Sequence, residues 1–161
     1  MEYLKLFQVL NTHKVKYLVC GGLAANIYGI PLMTAHTDST LEFTETNLAN
    51  FENTVKRLLL QKSIPILMNT FLSKEKREKA KREKNLIAFS FYSNHSGFMN
   101  LDVLLNVPIE FGVMWQYKTT KTIKETSITV VNVKHLIAIK NYANRFQDKN
   151  DVILLSKLLN K

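Results

Sequence analysis

The sequence predicts an α/β (α+β) domain: helices flanking one mixed, mainly antiparallel sheet, closed by a C-terminal helical pair. Three observations lead there. Short β-branched and aromatic runs are bounded by clusters of glycine, asparagine and threonine. Between them lie segments whose apolar residues recur at three- and four-residue spacing. The chain has 161 residues, 46% hydrophobic and 22% charged, which suits one globular domain and not a disordered chain.

Taken in order, residues 2–11 place Tyr3, Leu4, Phe7, Val9 and Leu10 at helical spacing. Val15 to Cys20 is a β-branched and aromatic run ending at Gly21-Gly22, and reads as a strand. Leu23 to Tyr28 follows as a helix with Gly29 as its stop, and Pro31 forces an extended connection. Thr37 to Phe43 alternates as a second strand. Thr44 to Asn47 starts a helix whose Leu48, Phe51, Val55, Leu58 and Leu59 make one apolar stripe.

Residues 64–72 are apolar without a defined period. Ser73 caps a basic helix over 73–84 that has no buried face. Leu86 to Tyr92 and Phe98 to Leu105 read as a hairpin across the turn Asn94-His95-Ser96-Gly97. Thr119 to Val131 contains one more strand, placed at Ser127–Val131. Two amphipathic helices, Val133–Asn144 and Asp148–Leu159, complete a core at 1–131 with a helical pair packed on it at 132–161.

Cys20 is the single cysteine, so no internal disulfide forms and a reducing, cytoplasmic setting is expected. No apolar run approaches the roughly 18 residues of a membrane span, and the first 22 residues read as helix and strand, not as a signal peptide. A net charge of +9 favours anionic partners such as nucleotide phosphates or nucleic acid. Part of it is local: Lys74 to Lys84 holds seven bases against three acids.

Three pieces point to chemistry. Gly21 and Gly22 stand between a strand and a helix, where backbone can approach a phosphate; a tight turn without a ligand is the other reading. His36 and Asp38 alternate by two, so they share one strand face and can share a metal ion; a turn-exposed His and a strand-edge Asp is the alternative. Asp102 interrupts the apolar strand Met99 to Leu105, where a carboxylate is costly unless it is paired, metal-bound or turned to solvent.

Together these pieces resemble the nucleotidyltransferase superfamily, with its DNA polymerase β-like fold. LVCGGLAANIYGIPLMTAHTDSTLEF is similar to the family's opening strand, diglycine turn, helix and Asp-x-Asp strand, and LDVL around Asp102 to its third-carboxylate strand. The tail, with Val133–Lys140, Arg145, Asp148 and Asp151, resembles the paired helices of small bacterial members akin to AbiEii-type toxins of toxin–antitoxin systems. His36 stands where the family's first Asp is usual, Leu32 where many members carry Arg, and Ser39-Thr40 where an apolar residue is usual.

The resemblance implies binding of a nucleoside triphosphate and Mg²⁺ (or Mn²⁺), with transfer of a nucleoside monophosphate to a hydroxyl of RNA, protein or a small molecule. It makes Asp38 and Asp102 the metal ligands and, with His36, the catalytic set; it gives Gly21, Gly22 and Lys140 to the nucleotide. The family uses three carboxylates and two metals, so His36 leaves the set one negative charge short, with Glu42 as a geometric substitute if the strand stays regular. The alternative is a catalytically degenerate binding module, an antitoxin-like partner or an RNA (tRNA) binder.

Five further features have structural readings. Lys140 either reaches a triphosphate or snorkels from an apolar helix face. Arg145, Asp148 and Asp151 read as an ion-pair cluster between helices, with Asp148 also an N-cap candidate. The 74–84 run is a solvated helix or a phosphate contact. Trp115 and Tyr117 read as packing residues, and Cys20 as a small buried hydrophobe.

Overall fold

The computed structural model describes residues 2–94 and 100–161. Helix α1 (Glu2–Thr12) leads to strand β1 (Tyr17–Cys20), α2 (Gly21–Ile27), β2 (His36–Leu41) and α3 (Glu45–Arg57). Then come β3 (Gln61–Lys62), a 3-10 turn (Met68–Phe71), α4 (Lys74–Lys84), β4 (Ala88–Tyr92) and β5 (Asn100–Leu104). The chain closes with α5 (Phe111–Gln116), β6 (Thr119–Ile123), β7 (Thr126–Val130), α6 (Val133–Ala143) and α7 (Phe146–Leu159).

The strands form one sheet in the order β3-β4-β5-β2-β1-β7-β6. β1–β2, β3–β4, β4–β5 and β6–β7 are antiparallel, while β1–β7 and β2–β5 are parallel. The expected mixed, mainly antiparallel sheet flanked by helices is what the chain forms. The hairpin strands β4 and β5 pair as expected, but its turn residues His95 to Gly97 lie outside the described residues.

Alternation divides the sheet into an apolar face and one that carries Asp38 and Asp102. Tyr17, Val19, Leu41, Val103, Phe89 and Phe91 share the first. There Tyr17 stacks on Phe7 of α1 at 5.4 Å, and Phe91 meets Phe51 of α3 edge-on at 5.2 Å, each pair worth about 0.5–1.5 kcal/mol beyond its buried area. Cys20, Asp38, Asp102 and Ser90 form a row on the opposite face, beneath α2.

Asn47 ties the edge of the first layer. Its side chain accepts from Lys16 N and donates to Lys16 O and Glu42 O, so the start of β1 and the end of β2 are held at the first turn of α3. Thr44 caps that helix, and Ser73 caps α4, as their sequence positions indicate.

Several boundaries differ from the sequence reading. Helix α2 starts at Gly21, not Leu23, so both glycines belong to its first turn. Two strands occupy 119–130 where one was expected. Their turn residues Lys124 and Glu125 both adopt positive φ (44° and 66°), a geometry that Asn-Gly signals and Lys-Glu does not. Helix α5 is only six residues long and contains Gly112, too short to show a period. Helix α7 starts at Phe146, and Asp148 is not its N-cap: Arg145 holds that position and Asp148 completes a capping box from the third residue.

Candidate active site

Strand β2 delivers His36 and Asp38 to the face opposite the aromatic core, and β5 delivers Asp102 to the same face. The two strands are parallel neighbours, and their register sets Asp38 directly beside Asp102. His36 Nδ1 lies 3.1 Å from Asp102 Oδ2. Asp102, one of the uncertain positions in the sequence, therefore faces a cleft and not open solvent.

Gly21 gives Asp38 its position. The glycine has φ +69°, and a Cβ built on it falls 2.0 Å from Asp38 Oδ2. At Gly22 a Cβ falls 3.0 Å from Thr34 Cβ, so the loop before β2 packs closely on the first turn of α2. The sequence suggested that the diglycine admits a phosphate. The contacts show what it does within the chain: it makes room for a carboxylate and for the 28–35 loop.

Burial pushes the Asp38 carboxyl above the ordinary range, and the charge of Asp102 pushes the same way; Arg145, His36 and Lys140 pull it back. Cys20, register partner of Asp38 on the other side, is fully buried and its thiol is held well above its usual range by burial and by Asp38. It is a buried apolar neighbour, as expected.

A cavity of about 600 Å³ opens over this row. Gly22, Thr34, His36, Asp38 and Asp102 line it from the sheet side, and Lys140, Arg145, Gln147 and Asp151 from the C-terminal helices. The structure thus brings His36, Asp38, Asp102, Gly22 and Lys140 to one cavity wall, with Gly21 directly behind Asp38.

Lys140 is 3% exposed and does not snorkel. Its ammonium donates to Asp151 Oδ2 at 2.7 Å and to Asp148 Oδ1 at 3.5 Å. Arg145 donates through Nε and Nη2 to both Asp148 oxygens, at 2.9 and 3.2 Å. The expected interhelical ion-pair cluster exists, with Lys140 at its centre. Burial raises the Asp148 carboxyl, but hydrogen bonds from the Arg145 side chain and backbone outweigh it and hold it below the ordinary range. The network fixes Arg145 at the cavity rim with its side chain 58% exposed. The sequence places Arg145 in this ion-pair cluster; its exposure at the rim of the cavity that holds Asp38 is a tertiary fact without a local signal.

Glu42 does not substitute for an acid. β2 ends at Leu41, roughly 13 Å of extended chain separates residue 42 from residue 38, and Glu42 pairs with Lys16 at 3.3 Å. Trp115 stacks on Phe111 at 5.7 Å, and neither it nor Tyr117 lines this cavity. Helix α4 buries none of its residues. Among the described residues, no three His, Cys, Asp or Glu side chains are grouped to hold a metal ion, and no helix is long and apolar enough to cross a membrane.

No protein-family model matches the sequence, and no curated protein is significantly similar to it. Solved structures do match. The lincosamide antibiotic adenylyltransferase LnuA, with lincomycin bound, superposes with a TM-score of 0.62 at 10% identity, covering 96% of this chain and 94% of that one. ANT(2'')-Ia, in complex with adenylyl-2''-tobramycin, gives 0.59 at 11% identity, covering 96% and 86%. A candidate nucleotidyltransferase from Thermotoga maritima gives 0.54 at 14% identity, covering 97% and 89%. The chain has the nucleotidyltransferase fold over nearly its whole length.

Proposed function

We propose that the chain transfers a nucleoside monophosphate from a nucleoside triphosphate to a hydroxyl group of a small molecule. One observation carries the proposal: Asp38 and Asp102 stand side by side in register, on the wall of a 600 Å³ cavity, within the nucleotidyltransferase fold. Two of the three solved neighbours above, LnuA and ANT(2'')-Ia, carry small-molecule antibiotics or their adenylyl product, which favours a small acceptor over RNA or protein.

The donor set fits a divalent cation. Two hard carboxylate oxygen donors lie next to each other, and the Asp38 carboxyl, raised by burial first and by the charge of Asp102 second, gains from a cation beside it. Mg²⁺ is commonly held by one or two carboxylates plus substrate phosphates, so a preformed three-ligand cage is not required. Mn²⁺ tolerates the neighbouring imidazole of His36 better. Asp38 and Asp102 are the ligands in this reading, with His36 at the edge. When bound, the ion polarises the α-phosphate as a Lewis acid.

The chain's own groups account for the rest. Lys140 keeps Asp148 and Asp151 satisfied and so holds Arg145, whose remaining donors face the charge of the triphosphate. The backbone of Gly21 and Gly22 borders the nucleotide at the first turn of α2. The acceptor oxygen bonds to the α-phosphorus, the α–β phosphoanhydride bond breaks and pyrophosphate leaves. The hydroxyl proton passes to a carboxylate oxygen of the Asp38–Asp102 pair.

A second reading, a degenerate binding module such as an antitoxin-like partner or an RNA binder, draws on one contact. His36 Nδ1 lies 3.1 Å from the Asp102 oxygen that a metal needs. Calorimetry with ATP, CTP, GTP and UTP in Mg²⁺ or Mn²⁺ tests the first reading. Binding that Asp38→Ala weakens supports it; absence of binding by the native chain ends it. Label transfer from NTP that appears only in His36→Asp favours the second.

A further inference from the structure

A second cavity, of about 250 Å³, lies on the other side of Asp38, between α4, β5 and α6. It shares Gly21, Asp38, Lys140 and Arg145 with the larger cavity, so Asp38 is a wall common to both. Its remaining surface is mainly apolar, from Ile87, Leu104, Val107, Ile139 and Ala143. Lys81 and Tyr142 close the outer side: the Lys81 ammonium sits 4.2 Å from the Tyr142 ring centre and donates to its hydroxyl, joining α4 to α6. Among the described residues, Asp38 is the only acid on this lining.

We infer that this smaller cavity is the acceptor subsite, and that it takes a hydroxylated small molecule with an apolar body about one ring in size and an anionic end. The inference rests on the transfer reading above and adds the acceptor's class. Three physical arguments support it. An acceptor oxygen must come within roughly 3–3.5 Å of the α-phosphorus, so its pocket must adjoin the nucleotide's at the carboxylates, as this one does at Asp38. The volume lies just below the roughly 300–1,000 Å³ usual for ligand sites, which limits the body to about one ring. Lys81 carries no carboxylate partner on this lining, and with Arg145 it gives the rim positive character that attracts an anion and repels an ammonium.

The test uses two probes that differ in one charge. 4-Hydroxyphenylacetate and tyramine share a phenol ring and a hydroxyl, but one ends in a carboxylate and the other in an ammonium. Each is titrated into the methyl-labelled full chain with Mg²⁺ and followed by NMR. The expected result is shifts of the Ile87, Leu104, Val107, Ile139 and Ala143 methyls with 4-hydroxyphenylacetate, at least about tenfold tighter than with tyramine (about 1.4 kcal/mol). Ala143→Trp, which fills the cavity from an exposed helix position, abolishes these shifts, and Lys81→Glu reverses the preference.

Equal binding of the two probes, binding of neither, or shifts confined to Leu32, Met33 and Ala35 of the larger cavity overturns the inference. ATP with Mg²⁺ is titrated on the same sample. A chain that binds 4-hydroxyphenylacetate here but no nucleotide overturns the transfer reading and the acceptor role with it. A chain that binds nucleotide but neither ring overturns the acceptor subsite alone.

Discussion

The carboxylate of Asp38 occupies the space in which any side chain at residue 21 would begin, with its Oδ2 2.0 Å from a Cβ built on Gly21. The glycine also holds φ +69°, where an L side chain is strained by roughly 1–2 kcal/mol. The first turn of α2 and the acid of β2 are therefore one unit: neither keeps its place without the other.

Gly21→Ala follows from that contact. It destabilises the chain by about 2–3 kcal/mol, combining strain with displacement of Asp38. In an Asp38→Gly background the packing part disappears and only the backbone strain remains. Urea unfolding of the two single variants and the double variant measures the coupling; strict additivity of the two changes refutes the contact.

Asp38→Asn stabilises the metal-free chain at neutral pH. The folded carboxyl lies above its unfolded value of about 3.9, so the folded state binds more protons in the interval between the two, and stability falls as pH rises through it. The variant lacks that loss. Melting curves in chelator show its Tm above the native one at pH 7, with the gap closing as pH falls through the raised folded value toward about 4. Metal and nucleotide binding are lost in the same variant.

Lys140→Met costs about 3–5 kcal/mol, because Asp151 is left buried without its cation and Asp148 keeps only Arg145. Asp148 has the opposite pH sign to Asp38. Its folded carboxyl lies below the unfolded value, so its contribution is present above about pH 3.9 and is lost as pH falls toward the folded value. Asp148→Asn removes that part of the acid dependence, as unfolding between pH 3 and 7 records.

Arg145→Ala weakens nucleoside triphosphate binding by about 10–100-fold, the range expected for loss of a charge-assisted fork on phosphate. Calorimetry reads this directly. Arg145→Lys recovers charge without the fork, and its affinity lies between the two.

His36→Asp makes stability depend on metal. The new carboxylate stands beside Asp102 and near Asp38, so like charges lower Tm in chelator, while Mg²⁺ raises Tm by more than it does in the native chain. Thermal shift with and without Mg²⁺ measures the difference. Identical responses of the two proteins exclude His36 from the metal's surroundings.

Much of this molecule is local, and local features were legible. The stripe of Leu48, Phe51 and Val55, the caps Thr44 and Ser73 and the alternation of β4 and β5 follow from propensity and period, and the chain adopts them. The six-residue α5 and the Lys124-Glu125 turn escaped notice because neither carries the residue types that usually mark such elements.

Within the candidate site, residue type and spacing alone determined that His36 and Asp38 share a strand face and that Asp102 needs a partner or a cleft. Tertiary structure decided the remainder. Strand order set Asp102 beside Asp38, and the backbone at Gly21 admitted the Asp38 carboxylate. Helix packing withdrew Lys140 into an ion-pair cluster and brought Arg145 to the rim. The physical reason is separation along the chain: propensity acts over a few residues, whereas the field at Asp38 is summed from groups up to about a hundred residues away, whose distances only the closed fold sets.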